Sequence, residues 1–142
     1  MMTASAIPEE TIAAYTATSY RVNQREPFAL KIGEASGPLR KLYEDYGCLS
    51  AAFITACNPY SMAVSADENA AAQSRLEGKL KAASIPFIAG NGEDPSGQWS
   101  GETSVLAFGL SLDAAKSFGV EFLQNAIVWA GDDAIPKLIL LR

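Results

Sequence analysis

The chain has 142 residues, 49% of them apolar and 19% charged, a composition that suits one folded domain with a single core and excludes a disordered segment. A formal net charge of −5, with the basic residues interleaved among acids, excludes the basic face that general nucleic-acid binding requires. The chain has no histidine, which excludes Ser-His-Asp and Cys-His catalysis and any His-ligated zinc, and two cysteines cannot close a four-thiolate site.

Residues 8 to 17, PEETIAAYTA, are expected to form a short helix, with Glu9 and Glu10 complementing its dipole. Residues 1 to 18 thus read as a tail and helix ahead of one domain spanning 19 to 142. Ser19 to Val22 and Phe28 to Ile32 are expected strands around a polar connection. Leu39, Leu42, Tyr43 and Tyr46 lie on one helical stripe that Gly47 terminates. Ser50 to Ala56 is nearly all apolar, as befits a central strand covered on both faces, and Asn58-Pro59 ends it. Ser65 to Glu68 has capping-box spacing and opens a helix running to about Ala83.

Ile85 to Ala89 is a short expected strand, and Gly90 to Gly101 is a glycine-rich polar loop. Thr103 to Leu110 is another buried strand. Ser111 caps a helix reaching to about Leu123. Residues 125 to 130 and 135 to 141 close the chain as an expected hairpin, with Pro136 marking an edge. The interleaving predicts a mixed α+β single-domain sandwich, with a mixed, largely antiparallel sheet and about four helices.

Polar residues gather around one strand end. Projecting the Leu76 and Leu80 stripe backwards by helical spacing lands on Gln73 and Asn69, beside the corner that carries Thr55 and Asn58. Glu102, just before the strand Thr103 to Leu110, and Gln124-Asn125, just before "AIVW", are the other candidates. Strand ends facing helix starts collect ligands, and helix-start amides there favour an anion. The alternative for these residues is structural: Asn58 as an Asx turn, Asn69 and Gln73 tying loop backbone, Glu102 a solvated loop acid, Gln124 a cap. Cys57 without a histidine reads as a buried thiol. Gly90, Gly92 and Gly97 form no phosphate-loop pattern. Trp99 and Trp129 offer ring-stacking surfaces, with core or loop-anchor roles as the alternative.

"AFITACNPYS", "SADENAAAQSRLEGKL" and "QNAIVWAG" carry a resemblance to a bacterial domain-of-unknown-function family of short single-domain proteins, spanning about Tyr20 to Leu141. Its motifs are A-F-[IL]-T-A-x-N-P and Q-N-A-[IV]-V-W. Cys57 stands where the resemblance leads one to expect tryptophan or another residue. The resemblance implies that Thr55, Asn58, Asn69, Glu102 and Gln124 belong together, and implies no activity, cofactor or substrate.

Three functional expectations follow. The first is a module binding a small molecule or nucleotide-like ligand at an amide-rich site of Thr55, Asn58, Asn69, Gln73, Glu102 and Gln124. The second is a carboxylate-dependent hydrolase or transferase with Glu102 as base. The third is an interaction module, including a homodimer, pairing through the C-terminal strand. The cofactor stays unknown, and no metal site is expected. The N-terminus lacks the pattern of a secretory signal and no run approaches membrane-spanning length, so a cytoplasmic protein with reduced thiols is expected.

Overall fold

Seven strands form one sheet in the order β2-β1-β4-β5-β3-β6-β7 in the computed structural model, which describes residues 5–97 and 101–142. They are β1 (Ser19–Val22), β2 (Phe28–Leu30), β3 (Ala51–Ile54), β4 (Phe87–Glu93), β5 (Glu102–Phe108), β6 (Ala126–Ala130) and β7 (Lys137–Leu140). All their pairings are antiparallel. With α1 (Glu9–Ala17), α2 (Gly37–Tyr46), α3 (Ala66–Ala82) and α4 (Leu112–Glu121), this is an α+β domain with four helices. The last two strands make the expected hairpin, and β7 lies at the sheet edge.

Alternation along the central strands explains the layering. On one face, Phe53, Leu106, Phe108 and Val128 pack with Tyr20 and Val22 under Leu39, Leu42 and Tyr43 of α2. On the other, Ala52, Ile54, Val105, Ala107 and Ile127 pack against Leu76 and Leu80 of α3 and Ala115 of α4. Successive residues of β3 serve opposite faces, so an uninterrupted apolar run is what two-sided burial demands. Ser36, Ser65 and Ser111 each accept a main-chain N–H three residues on, fixing the starts of α2, α3 and α4. Gly47 ends α2 at φ 65, a left-handed position at which a side chain would be strained.

The structure departs from the sequence reading at β4, which runs through Gly90, Asn91, Gly92 and Glu93 where a loop was expected. The cause is tertiary. A Cβ on Gly90 would lie 2.5 Å from the Arg21 carbonyl oxygen and 2.8 Å from Cε2 of Phe53, so only glycine lets these groups close over the strand. β1 and β5 flank this segment and satisfy its backbone from both sides. Glu102 is consequently the first residue of β5, paired with Gly92, and not a residue of the preceding loop. Trp99 lies outside the described residues.

Candidate functional site

The α2 face of the sheet is only partly covered by α2. Beyond it, at the end of the sheet where β3 stops and β5 begins, residues of α1 join the strands in lining a cavity of about 520 Å³. Register builds its floor. Glu102 of β5 opposes Gly92 of β4, and Gly92 in turn opposes Tyr20 of β1. Gly92 thus leaves a gap in the row between a carboxylate and a phenol, and the nearest group to a Cβ there would be Thr18 Cγ2 at 3.8 Å. Phe53, Thr55, Ser104 and Val128 continue the lining, Asn58, Ser61 and Gln124 come from loops, and Glu10, Thr11, Ala14 and Tyr15 come from α1.

α1 buries none of its own residues and has no side-chain cap. Polar contacts hold it instead. The Tyr15 and Ser61 hydroxyls share a hydrogen bond, Asn125 Nδ2 donates to both oxygens at 3.1 and 3.2 Å, and the Tyr20 hydroxyl donates to the Tyr15 carbonyl at 2.5 Å. Arg142 donates to Asn125 Oδ1 at 2.9 Å and stacks 4.1 Å from the Tyr60 ring centroid.

The segment after β3 carries concentrated backbone strain. Asn58, Tyr60 and Ser61 have φ of 46, 54 and 61, left-handed values that asparagine tolerates and tyrosine rarely adopts. Asn58 is fixed from several directions. Its N–H donates to Asn69 Oδ1 at 2.8 Å, its Oδ1 accepts from Asn69 Nδ2 at 2.9 Å and from the Val64 N–H at 3.3 Å, and its Nδ2 donates to Glu102 Oε2 at 2.8 Å. Burial pushes the Glu102 carboxyl above its ordinary value, against the opposing effect of the Asn58 hydrogen bond.

The residues nominated from the sequence therefore divide. Thr55, Asn58, Glu102 and Gln124 line the cavity. Asn69 and Gln73 stand behind it and bind backbone: Asn69 braces Asn58, and Gln73 Oε1 accepts the Ala56 N–H at 3.3 Å, with its Nε2 buried and unpartnered among the described residues. Thr55 Oγ1 donates to the Thr103 carbonyl at 2.7 Å and accepts the Cys57 N–H at 3.0 Å. Gln124 Nε2 donates to the carbonyls of Cys57 and Phe122, both at 3.1 Å.

The start of α3, where the sequence pointed to an anion, does not border this cavity. None of its described lining residues comes from α3, whose first turn is capped by the Ser65 hydroxyl, which accepts the Glu68 N–H and donates to Glu68 Oε1. Burial pushes the Cys57 thiol up, as expected of a structural thiol and not of a nucleophile. Trp129 donates from Nε1 to the Leu110 carbonyl at 3.0 Å, a loop anchor.

Tyr20, Gly92, Ser104 and the α1 side chains are lining residues that the sequence reading did not nominate. The alternation of Tyr20 with Val22, and of Glu102 with Ser104, was the available signal for the strand residues.

A second depression of about 660 Å³, between residues 24–28 and α2, is larger but lined mostly by exposed residues. Half-buried polar groups, Glu102 and Asn58 among them, distinguish the first. Among the described residues no helix is long and apolar enough to cross a membrane.

No curated protein and no solved structure matches the chain. A family profile does match, over residues 54–127, just over half of the chain and within the span of the resemblance. That stretch runs from the end of β3 through Asn58, α3 and Glu102 to Ile127, and on it the chain belongs to the family described as protein of unknown function (DUF3293).

Proposed function

We propose that the chain is a binding module for a small polar organic molecule, held in the cavity between α1 and the β4-β5-β3 surface. The observation that carries this reading is the half-buried Glu102 carboxylate, oriented by Asn58 toward a cavity whose floor is opened by Gly92. Strain at Asn58, Tyr60 and Ser61 supports it, since costly backbone geometry clusters where ligands are gripped. In this reading Thr55, Asn58, Glu102 and Gln124 form the ligand wall, and Asn69 and Gln73 brace it. The heterocyclic part of a nucleotide-like ligand suits the wall better than its phosphates do, because Glu10 and Glu102 both border the cavity.

The hydrolase or transferase reading uses Glu102 as base and Asn58 as the donor that stabilises an electrophile. Asn58 is ill placed for that task, with its amide already joined to Glu102 and Asn69. A homodimer through β7 draws support from that strand's edge position, and light scattering of the full chain tests it. A cytoplasmic setting belongs to the same proposal, supported by the unpaired thiols of Cys48 and Cys57.

The test is a thermal-shift screen of nucleosides, amines and polar metabolites against the full chain and Gly92→Leu. Gly92 has no left-handed φ, so leucine enters the strand without backbone strain and projects into the cavity. Compounds that raise the melting temperature of the native chain and leave Gly92→Leu unmoved support the reading. Equal shifts in both proteins, or none in either, overturn it.

A further inference from the structure

The polar atoms around the cavity are unevenly committed. The hydroxyls of Thr18, Tyr20, Thr55 and Ser104 each donate to a main-chain carbonyl, those of Ala14, Tyr15, Thr103 and Glu102 respectively. The Gln124 amide nitrogen donates to two further carbonyls. Glu102 Oε1 and Gln124 Oε1 have no hydrogen-bond partner among the described residues, and both are acceptors. Glu10 adds a second carboxylate from α1, and the described lining contains no lysine or arginine. The rest of the lining is mostly apolar or aromatic, including Phe53, Tyr20, Ala14, Ala126, Val128 and Leu138, with the hydroxyls of Thr11, Tyr15 and Ser61 beside them. A carboxylate facing an apolar, aromatic enclosure with uncommitted acceptors repels anions and lacks a counter-charge of its own.

We infer that the ligand of this cavity is a compact organic cation rich in N–H donors, an amine or amidine on an apolar body, with the Glu102 carboxylate as its counter-charge. This inference rests on the binding reading above and names the class of ligand. Oε1 of Glu102 and Oε1 of Gln124 receive the N–H groups, and the aromatic and aliphatic wall takes the body. Asn58 holds Oε2 and so fixes the direction of Oε1. A bound cation favours the ionised carboxylate and reverses the effect of burial on Glu102. The titratable groups facing Glu102 are Tyr20 of β1, Cys57 after β3, and Glu10 and Tyr15 of α1. Burial pushes both Tyr20 and Cys57 up, so both remain neutral where Glu102 titrates.

The probes are benzylamine, benzyl alcohol and benzoate, which share a ring and differ in charge, titrated calorimetrically into the full chain, Glu102→Gln and Gly92→Leu. Benzylamine is expected to bind at least about tenfold more tightly than benzyl alcohol, as a charge pair in a partly desolvated site requires, and benzoate more weakly than either. Glu102→Gln should bring benzylamine down to the affinity that benzyl alcohol shows for the same variant. In the native chain, benzylamine affinity should fall as pH is lowered through the titration of Glu102, a readout that does not depend on the variant's folding. Equal or tighter binding of benzoate, retention of the cation preference in Glu102→Gln, or no binding of benzylamine overturns the inference. If the alcohol or benzoate binds the native chain without a cation preference and fails to bind Gly92→Leu, the cavity reading stands and only the ligand class falls.

Discussion

Asn69→Ala removes the residue that joins α3 to the strained corner after β3, and its cost can be worked from the hydrogen bonds it makes. Asn69 Oδ1 accepts the Asn58 N–H at 2.8 Å and Asn69 Nδ2 donates to Asn58 Oδ1 at 2.9 Å. Truncation deletes both bonds and leaves a part-buried main-chain donor without a protein partner, while Asn58 Oδ1 keeps the Val64 N–H at 3.3 Å. Two net hydrogen bonds and one orphaned donor amount to about 1–3 kcal/mol. Alanine returns roughly 0.5 kcal/mol through its better helix propensity, so a net loss of about 0.5–2.5 kcal/mol is expected. Urea unfolding followed by circular dichroism measures it, with an unchanged slope showing that the denatured state is the same. Leu76→Ala is the control: the residue is fully buried between α3 and the sheet and should cost about 2–5 kcal/mol. A loss at Asn69 below about 0.5 kcal/mol, with Leu76→Ala behaving as expected, refutes the bracing role.

Two other predictions address β4 and Glu102. Gly90→Ala should destabilise by about 1–3 kcal/mol, because its Cβ meets main chain and the Phe53 ring, while Gly92→Ala, which meets nothing closer than 3.8 Å, should stay within about 1 kcal/mol of the native chain. Glu102 has a folded pKa above its unfolded value, so the folded state binds the extra proton and stability falls as pH rises from about 4.5 through the folded pKa. Measured against Glu102→Gln, the native chain should lose stability across that window and run parallel above it; a difference that does not change with pH contradicts the burial of the carboxyl.

The sequence and the structure agree wherever local rules and tertiary demands coincide. β1 reads directly from Ser19 to Val22, and the serine caps before α3 and α4 carry their own signal. Helical spacing backwards from Leu76 placed Asn69 beside Asn58, because a stripe on α3 keeps one face toward the strand end. The same logic could not tell a brace from a ligand contact, since that depends on which side of Asn58 the helix lies. The second half of β4, Gly90 to Glu93, is hidden in the sequence because Gly-Asn-Gly reads as a turn. Its strand is imposed by pairing on both sides and by the ring of Phe53 over Gly90. α1 as a cavity wall was equally illegible: it buries no residue, and its side-chain anchor is the Tyr15 hydroxyl meeting Ser61 and Asn125, partners 46 and 110 residues away.

Whether the cavity bordered by α1 binds the ligand is read by amide chemical-shift mapping of the isotopically labelled full chain, titrated with the compound that gives the largest thermal shift. The largest perturbations are predicted at Thr18, Tyr20, Thr55, Asn58, Gly92, Glu102 and Gln124. Perturbations confined to residues 24–28 and the exposed face of α2 would place the ligand in the other groove and contradict the account.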